Sequence, residues 1–125
     1  MTKLSIYRVV KAWPQVLQTL GGPEPRFYPF GENDDAPIKY PYAVYRVIPG
    51  GGPRNFLAHR PDMDELLIQI DVFGITDSQA GEAVVALRDA LELHCRIVSW
   101  RGSSRDPETK NYRQSFDVRW VQPRL

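Results

Sequence analysis

The sequence has little of the residues that stabilise covalently linked or metal-bound folds, with one cysteine and two histidines in 125 residues. A single cysteine, Cys95, cannot form a disulfide within one chain, and such sparing use of cysteine is typical of a reducing compartment. His59, His94 and Cys95 also lack any zinc-ligand spacing such as Cys-x2-Cys. We therefore expect neither a disulfide framework nor a metal site.

Long apolar runs are missing as well. None approaches the roughly 18 residues that a membrane-spanning helix needs. The stretch from Met1 to Val10 lacks the apolar centre and the small-residue cleavage site of a signal peptide. The sequence therefore predicts a protein that is made in the cytoplasm, is not exported and does not contact a membrane.

The length of 125 residues is usual for one domain. We expect residues 1–125 to form a single domain with three parts. These parts are an N-terminal helical segment at 1–20, a connector at 21–41 and a sheet–helix core at 42–121.

The net charge is only +1, but the charges are unevenly distributed. Residues 61–95 carry eight acidic groups and one basic group, whereas the segments on both sides have a basic excess. One interpretation is a solvated acidic helix and loop. The other is that acidic and basic surfaces of neighbouring copies face each other in an assembly, and Asp62 and Asp64 are the acidic candidates for such a contact.

Two segments have helical patterns. Residues 77–94 have an apolar stripe at helical spacing, and Thr76 with Gln79 matches a capping box, so the sequence predicts a long helix there. The N-terminal segment also has helical spacing, but Pro14 disfavours a helical conformation for Trp13. We therefore predict an N-terminal helix in two pieces.

The strand patterns complete the fold class. Strands are predicted at 42–48, 65–73, 96–101 and 112–121. Alternation in the last strand predicts one buried and one polar sheet face, with Trp100 and Trp120 in the core layer. The sequence therefore predicts an α+β fold with two layers. A mostly antiparallel sheet of about four strands would have the helix 77–94 packed on one face and an N-terminal helix beside it.

Two loops separate the predicted strands. The longer, at 49–64, includes Gly50–Gly52, and we interpret this glycine run as a flexible tip. The other is a polar, charged loop at 102–111. Loops longer than about 12 residues are unusual in a compact domain and are often functional.

No nucleophile with an orienting base is evident, and the sequence does not predict an enzyme. A metal-dependent nuclease remains an alternative, because Pro61-Asp62 and Glu108-Thr109-Lys110 resemble a pattern that places two carboxylates on Mg²⁺. However, Glu108 and Lys110 fall in a predicted loop, whereas such sites need rigid positions. A solvated charged loop is the simpler interpretation.

A nucleic-acid-binding domain is the other alternative from a different class. Arginines interleaved with aromatic residues can follow a phosphate backbone and stack on bases. The acidic segment 61–95 would repel phosphate, which weighs against it. The residues concerned are Arg96, Arg101, Arg105, Arg113, Arg119 and Arg124, with Trp100, Tyr112 and Trp120.

A series of short phrases in fixed order covers most of the chain. They are Arg26-Phe27-Tyr28-Pro29, Pro41-Tyr42-Ala43-Val44-Tyr45, Arg60-Pro61-Asp62-Met63-Asp64, Gln69-Ile70-Asp71-Val72-Phe73-Gly74, Val85-Ala86-Leu87-Arg88-Asp89-Ala90-Leu91, Asp106-Pro107-Glu108-Thr109 and Tyr112-Arg113-Gln114-Ser115-Phe116-Asp117-Val118. In this order and spacing, the region from Tyr28 to Trp120 resembles the tail-terminator or tail-completion family of long-tailed bacteriophages and prophages.

The resemblance implies a structural protein of the virion without cofactor or catalysis. It implies a hexameric ring at the head-proximal end of the tail, assembled in the bacterial host cytoplasm. The ring would sit on the tail tube protein, end tube growth and offer a docking surface to the neck or head-completion proteins. Double-stranded DNA would pass through the lumen without being read. Another ring protein of the head–tail junction is the nearest alternative.

The long loop is the main candidate contact surface. Its length, and the apolar Phe56 and Leu57 among basic residues, indicate a contact with a neighbouring subunit or with the tube. An exposed edge at strand 42–48 is a second candidate, because an open edge can pair with another chain. The candidate interface residues are Arg54, Asn55, Phe56, Arg60, Asp62, Asp64 and Arg105.

Overall fold

The computed structural model describes residues 5–32, 38–55 and 57–124. Three helices and five strands follow one another in this part of the chain. They are α1 (Ile6–Lys11), α2 (Pro14–Leu20), β1 (Phe27–Pro29), β2 (Tyr42–Pro53), β3 (Met63–Gly74), α3 (Asp77–Leu91), β4 (Arg96–Arg105) and β5 (Tyr112–Pro123). The predicted α+β class is confirmed.

The sheet has the strand order β1-β2-β3-β5-β4. β3 is central and pairs with β5 along its whole length, from Met63 opposite Pro123 to Gly74 opposite Tyr112. All pairs are antiparallel except β1 with β2. The fifth strand, β1, is short and ends at a proline, as expected of an edge position because proline has no N–H to donate.

The N-terminal helix is divided as predicted. Trp13 has an extended backbone with ψ of 118°, and Pro14 occupies the first turn of α2. Proline fits there because its missing N–H would have no partner in the first turn of a helix. At the other end of the chain, the Trp120 indole N–H donates to the Ser5 hydroxyl at 3.0 Å. This bond ties the start of α1 to β5.

The core lies between the helices and one face of the sheet. Apolar residues at every second position of β3, Ile68, Ile70 and Val72, are fully buried. They face the predicted stripe of α3, which packs against β3 and β5 while α1 and α2 pack against α3. The Thr76 hydroxyl caps α3 by accepting the Gln79 N–H at 3.1 Å, and the Gln79 side chain accepts the Ile75 N–H at 2.8 Å. The helix ends at Leu91, three residues before the predicted end, because residues 92–94 form a turn.

The predicted loop at 49–64 is wrong in extent, because β2 continues to Pro53 and β3 begins at Met63. Pairing shifts register after Ile48 and resumes with Gly52 opposite Glu65. At this irregularity the backbones come so close that a Cβ on Gly51 would lie 2.3 Å from the Glu65 carbonyl oxygen. The glycine run therefore allows close strand approach and is not a flexible tip.

β4 is also longer than predicted, and it reaches Arg105. The hairpin loop is therefore 106–111 and not 102–111. The prediction for Trp100 is wrong, since its side chain is 56% exposed, whereas Trp120 is only 4% exposed. The reason is position: β4 is an edge strand with two register shifts, and nearly all its residues are exposed.

The predicted open edge at 42–48 is partly covered, because β1 pairs with Ala43 to Tyr45. Within the described residues the remainder of β2 has no outer partner. Pro49 and Pro53 lie in this remainder and cannot donate a backbone hydrogen bond. This part of the edge is therefore a poor template for strand pairing.

Candidate functional site

At one end of the sheet, β2 and β3 extend beyond their last buried residues, Tyr45 and Ile68. There β2 is exposed from Pro49 onward, and residues 63–67 of β3 are half-buried. We call residues 49–53 of β2 and 63–67 of β3, together with the residues that connect them, the arm; its tip is residues 54–62, of which the structure describes all except position 56. Leu57 at the tip is 95% exposed. Most of the arm lies outside the core, although Leu66 of β3 packs against it.

Ion pairs stabilise the base of the arm. Asp64 accepts two hydrogen bonds from the Arg124 guanidinium, at 3.0 and 2.7 Å, and these bonds hold the pKa of the Asp64 carboxyl below its usual value. Glu65 lies 3.5 Å from the Arg54 guanidinium and 3.8 Å from that of Arg119. The predicted interface residues Arg54 and Asp64 therefore have partners within their own chain.

The other predicted residues of the arm are free to make outside contacts. Asn55, Arg60 and Asp62 are exposed or at the surface, and within the described ranges their side chains have no hydrogen bond or ion pair. Phe56 lies outside the described residues. The structure thus brings Arg54, Asn55, Arg60, Asp62 and Asp64 together on and beside the tip.

Arg105 lies at the opposite end of the sheet. Its guanidinium stacks on the Tyr112 ring at 5.3 Å, and it donates to the Lys110 carbonyl oxygen at 3.2 Å. The following loop turns around Asp106, whose carboxylate accepts the Glu108 N–H at 2.9 Å and has a lowered pKa because of that backbone bond. Arg105 is therefore separated from the other predicted interface residues by the length of β5.

A cleft of about 340 Å³ lies at this same end of the sheet. One wall is aromatic, because Tyr42 stacks on Phe73 at 4.9 Å and Tyr40 tilts against Tyr42 at 5.4 Å. Burial raises the pKa of the Tyr42 hydroxyl. The other lining residues are Ile38, Ser104, Asp106, Thr109, Asn111 and Arg113.

Arg113 is the notable polar group of the cleft. It is exposed, and in the part of the chain that the structure describes its guanidinium has no ion-pair or hydrogen-bond partner. Asn111 is fixed by donating to the Tyr40 hydroxyl at 2.6 Å. The sequence prediction missed this cleft, although alternation in the last strand did place Arg113 on the polar face of β5.

The sheet face opposite the helices carries a network of polar side chains. Asp71 accepts from the Ser115 hydroxyl at 2.6 Å and from the Gln69 amide at 3.0 Å. Asp117 is 3% exposed and pairs with Arg101 through contacts of 2.9 and 3.0 Å. The predicted polar face is present, and its acidic groups are already neutralised or hydrogen-bonded within the chain.

The structure does not assemble the nuclease-like pattern. Asp62 adjoins the end of β5 at Pro123, whereas Glu108 and Lys110 lie in the loop before its start at Tyr112. A strand of that length separates them by roughly 35 Å. Among the described residues there is no group of three or more His, Cys, Asp or Glu side chains that could hold a metal ion.

The lone thiol has little nucleophilic character, because burial raises the pKa of Cys95 to about 11. At neutral pH the reactive thiolate is therefore scarce. None of the helices in the described ranges has the length and apolarity to cross a bilayer.

Comparison with known proteins gives two findings. The family model of the tail completion protein gp17 matches residues 5–122. Among solved structures, a chain from the virion of a native gene transfer agent particle is similar with a TM-score of 0.65 and 14% sequence identity. The match covers 95% of this chain and 92% of that chain, so the two share a fold. A search of the curated proteins finds no match.

The family match spans the whole sheet, all three helices and both surfaces described above. It confirms the resemblance to tail-completion proteins that the order of the sequence phrases indicated. The chain therefore belongs to the tail completion protein gp17 family and is a structural protein of a phage tail.

Proposed function

We propose that the protein is a tail terminator, which caps the tail tube as a hexameric ring at its head-proximal end. The ring would stop the addition of tube subunits and present its other side to the neck or head-completion proteins. Assembly would take place in the bacterial host cytoplasm, without a cofactor and without catalysis. Membership of the tail completion family makes this role the natural starting hypothesis.

The observation that carries the proposal is the arm. It extends the sheet past the core and ends in a tip with an almost fully exposed leucine, Leu57. Pairing of β3 with β5 from Met63 onward, together with the Asp64–Arg124 ion pair, joins its base to the rest of the sheet. An ordered projection with an exposed apolar residue suits contact with another protein, and we assign the tip to the tail tube.

Passage of DNA without recognition is compatible with the charges. Several arginines of the basic C-terminal segment are already paired with carboxylates, which lowers their attraction for phosphate. DNA that only passes through a lumen, without recognition of its sequence, needs no contacts to its bases and no cluster of unpaired arginines. The paired residues are Arg101, Arg119 and Arg124.

The test uses purified tail tubes and purified protein. Addition of the protein should stop tube elongation, and electron microscopy should show a ring at one end of each tube. The free protein is weighed by light scattering, where a mass near 86 kDa, six times the 14.3 kDa chain, indicates a preformed ring. Uncapped, still-growing tubes would contradict the terminator role, and binding to heads instead would favour another head–tail junction protein.

Two matched substitutions test the role of the tip. Leu57→Asp should reduce capping by about tenfold or more, because a charge would replace the apolar contact. Ile75→Asp is the control, since Ile75 is also a large exposed apolar residue, 58% exposed, but lies at the other end of the sheet. Equal capping by both variants would show that the tip does not contact the tube.

A further inference from the structure

The cleft and the end of α3 have complementary chemistry. The cleft combines the aromatic wall of Tyr42 and Phe73 with the unpaired Arg113 guanidinium. In the turn after α3, Glu92 and Leu93 are adjacent and exposed, and Leu93 is 78% exposed. Within the described ranges the Glu92 carboxylate has no hydrogen-bond or ion-pair partner. The cleft thus presents an apolar wall beside the Arg113 cation, and the turn presents the apolar Leu93 beside the Glu92 anion.

These two surfaces cannot meet within one chain. Leu93 is three residues before Arg96, which lies opposite Arg119 in the sheet. Arg119 is six residues along β5 from Arg113, a distance of about 20 Å. In addition, α3 packs on the helix-facing side of the sheet, whereas Arg113 shares the open side with Phe73. Any contact between the two surfaces therefore joins different copies.

We propose that the cleft of one subunit receives the Glu92–Leu93 turn of the next subunit, with Leu93 against the aromatic wall and Glu92 paired with Arg113. The inference rests on the ring proposed above and names the contact that closes it. A contact between two different surfaces of identical chains is head-to-tail. It closes into a ring when a whole number of equal rotations completes one turn without a shift along the axis, and otherwise it gives an open filament.

Charge selects this occupant over the other exposed leucine. Each leucine has a histidine within two residues, but Leu57 also lies close to Arg60, a cation that Arg113 would repel, whereas Leu93 directly follows Glu92. Asp106 also lines the cleft and keeps its negative charge, but its carboxylate accepts the Glu108 and Thr109 N–H groups, whose dipoles partly offset that charge. The acidic neighbour of Leu93 makes the α3 turn the matching partner.

The first experiment is a charge exchange, read out as self-association by sedimentation velocity over a concentration series. Glu92→Arg or Arg113→Glu alone should weaken association by about tenfold or more, since each brings like charges together. The double variant should restore association to within about threefold of the wild type, because the pair is re-formed with reversed signs. If the loss of self-association in the double variant equals the sum of the losses in the two single variants, the proposal is overturned.

The second experiment compares two leucines. Leu93→Ala should weaken self-association by about tenfold, whereas Leu57→Ala, a similarly exposed leucine, should leave it unchanged. Both variants should have the wild-type melting temperature, because neither side chain is buried. Equal effects of the two substitutions, or a wild-type chain that stays monomeric at the highest concentration, would also overturn the proposal.

The two proposals can fail separately. A wild-type protein that caps tubes, but whose association is insensitive to Leu93→Ala, remains a terminator with a different subunit contact. A protein whose association follows the charge exchange, but which does not cap tubes, has the proposed contact without the terminator role.

Discussion

The two halves of β3 are stabilised by different forces, although β5 pairs with both in one continuous register. In the half next to the helices, Ile68, Ile70 and Val72 are fully buried. In the arm half, Met63 to Leu67 are only half-buried, and the acidic Asp64 and Glu65 are tied by ion pairs to arginines. One strand thus joins a part that fixes the fold to a part that is free to contact other proteins.

The largest effect is expected in the core half. Ile70→Ala should lower the free energy of unfolding by about 3–4 kcal/mol, since it removes buried methyl groups and leaves a cavity. Leu67→Ala, in the half-buried stretch of the same strand, should lower the free energy of unfolding by clearly less than Ile70→Ala does. Urea unfolding followed by circular dichroism measures both, and equal losses would mean that the arm half contributes to the core as much as the other half.

A smaller effect is expected where β2 and β3 come closest. Gly51→Ala should destabilise the arm by about 1–3 kcal/mol, because its Cβ would collide with the Glu65 carbonyl oxygen. Gly52→Ala is the matched control, since no atom lies within 4 Å of a Cβ there. Amide hydrogen exchange at Leu66 and Leu67 reports the opening of the arm. Unchanged exchange rates in the Gly51→Ala variant would show that β2 can move away from Glu65 at no measurable cost, which would contradict the prediction.

The smallest effect concerns pH. The Arg124 guanidinium lowers the pKa of Asp64 from its ordinary 3.8, so the ion pair stabilises the arm above that pH and is lost as the pH falls through the lower pKa of the folded protein. We expect the protection factors of the arm amides, relative to the intrinsic exchange rate at each pH, to fall in acid, while the buried half of β3 keeps its protection. Asp64→Asn should reduce this acid sensitivity, because the Arg124 pair is then absent at every pH. An NMR titration that gives Asp64 an ordinary pKa would contradict the expectation.

Local patterns predicted the parts of the fold that local physics decides. Alternation in the last strand predicted the face of the sheet that is buried, and Phe116, Val118 and Trp120 of that strand are buried in the core. The capping box of Thr76 and Gln79 correctly predicted the start of α3, because capping depends only on residues that are close in the sequence. The break at Trp13 also followed from its neighbour, Pro14.

Contacts between distant residues explain what the sequence did not reveal. The glycine run was predicted as a loop because nothing near Gly51 in the sequence indicates the close approach of Glu65. The cleft joins Tyr40, Phe73 and Arg113, whose proximity depends on strand order and on the register shifts of β4. Of the predicted interface residues that the structure describes, all lie at the arm except Arg105, which the length of β5 separates from the others; their role as an interface stays a prediction.

The uneven burial of the tryptophans gives the protein an optical signal of its own. Trp120 is 4% exposed and reports the core, whereas Trp100 is 56% exposed on the outermost strand and packs loosely on Phe116 with a 5.3 Å ring separation. Indole fluorescence shifts to shorter wavelength when water is removed from the ring. A blue shift on assembly, absent from a Trp100→Phe variant, would therefore show that the β4 edge becomes covered, without any attached dye.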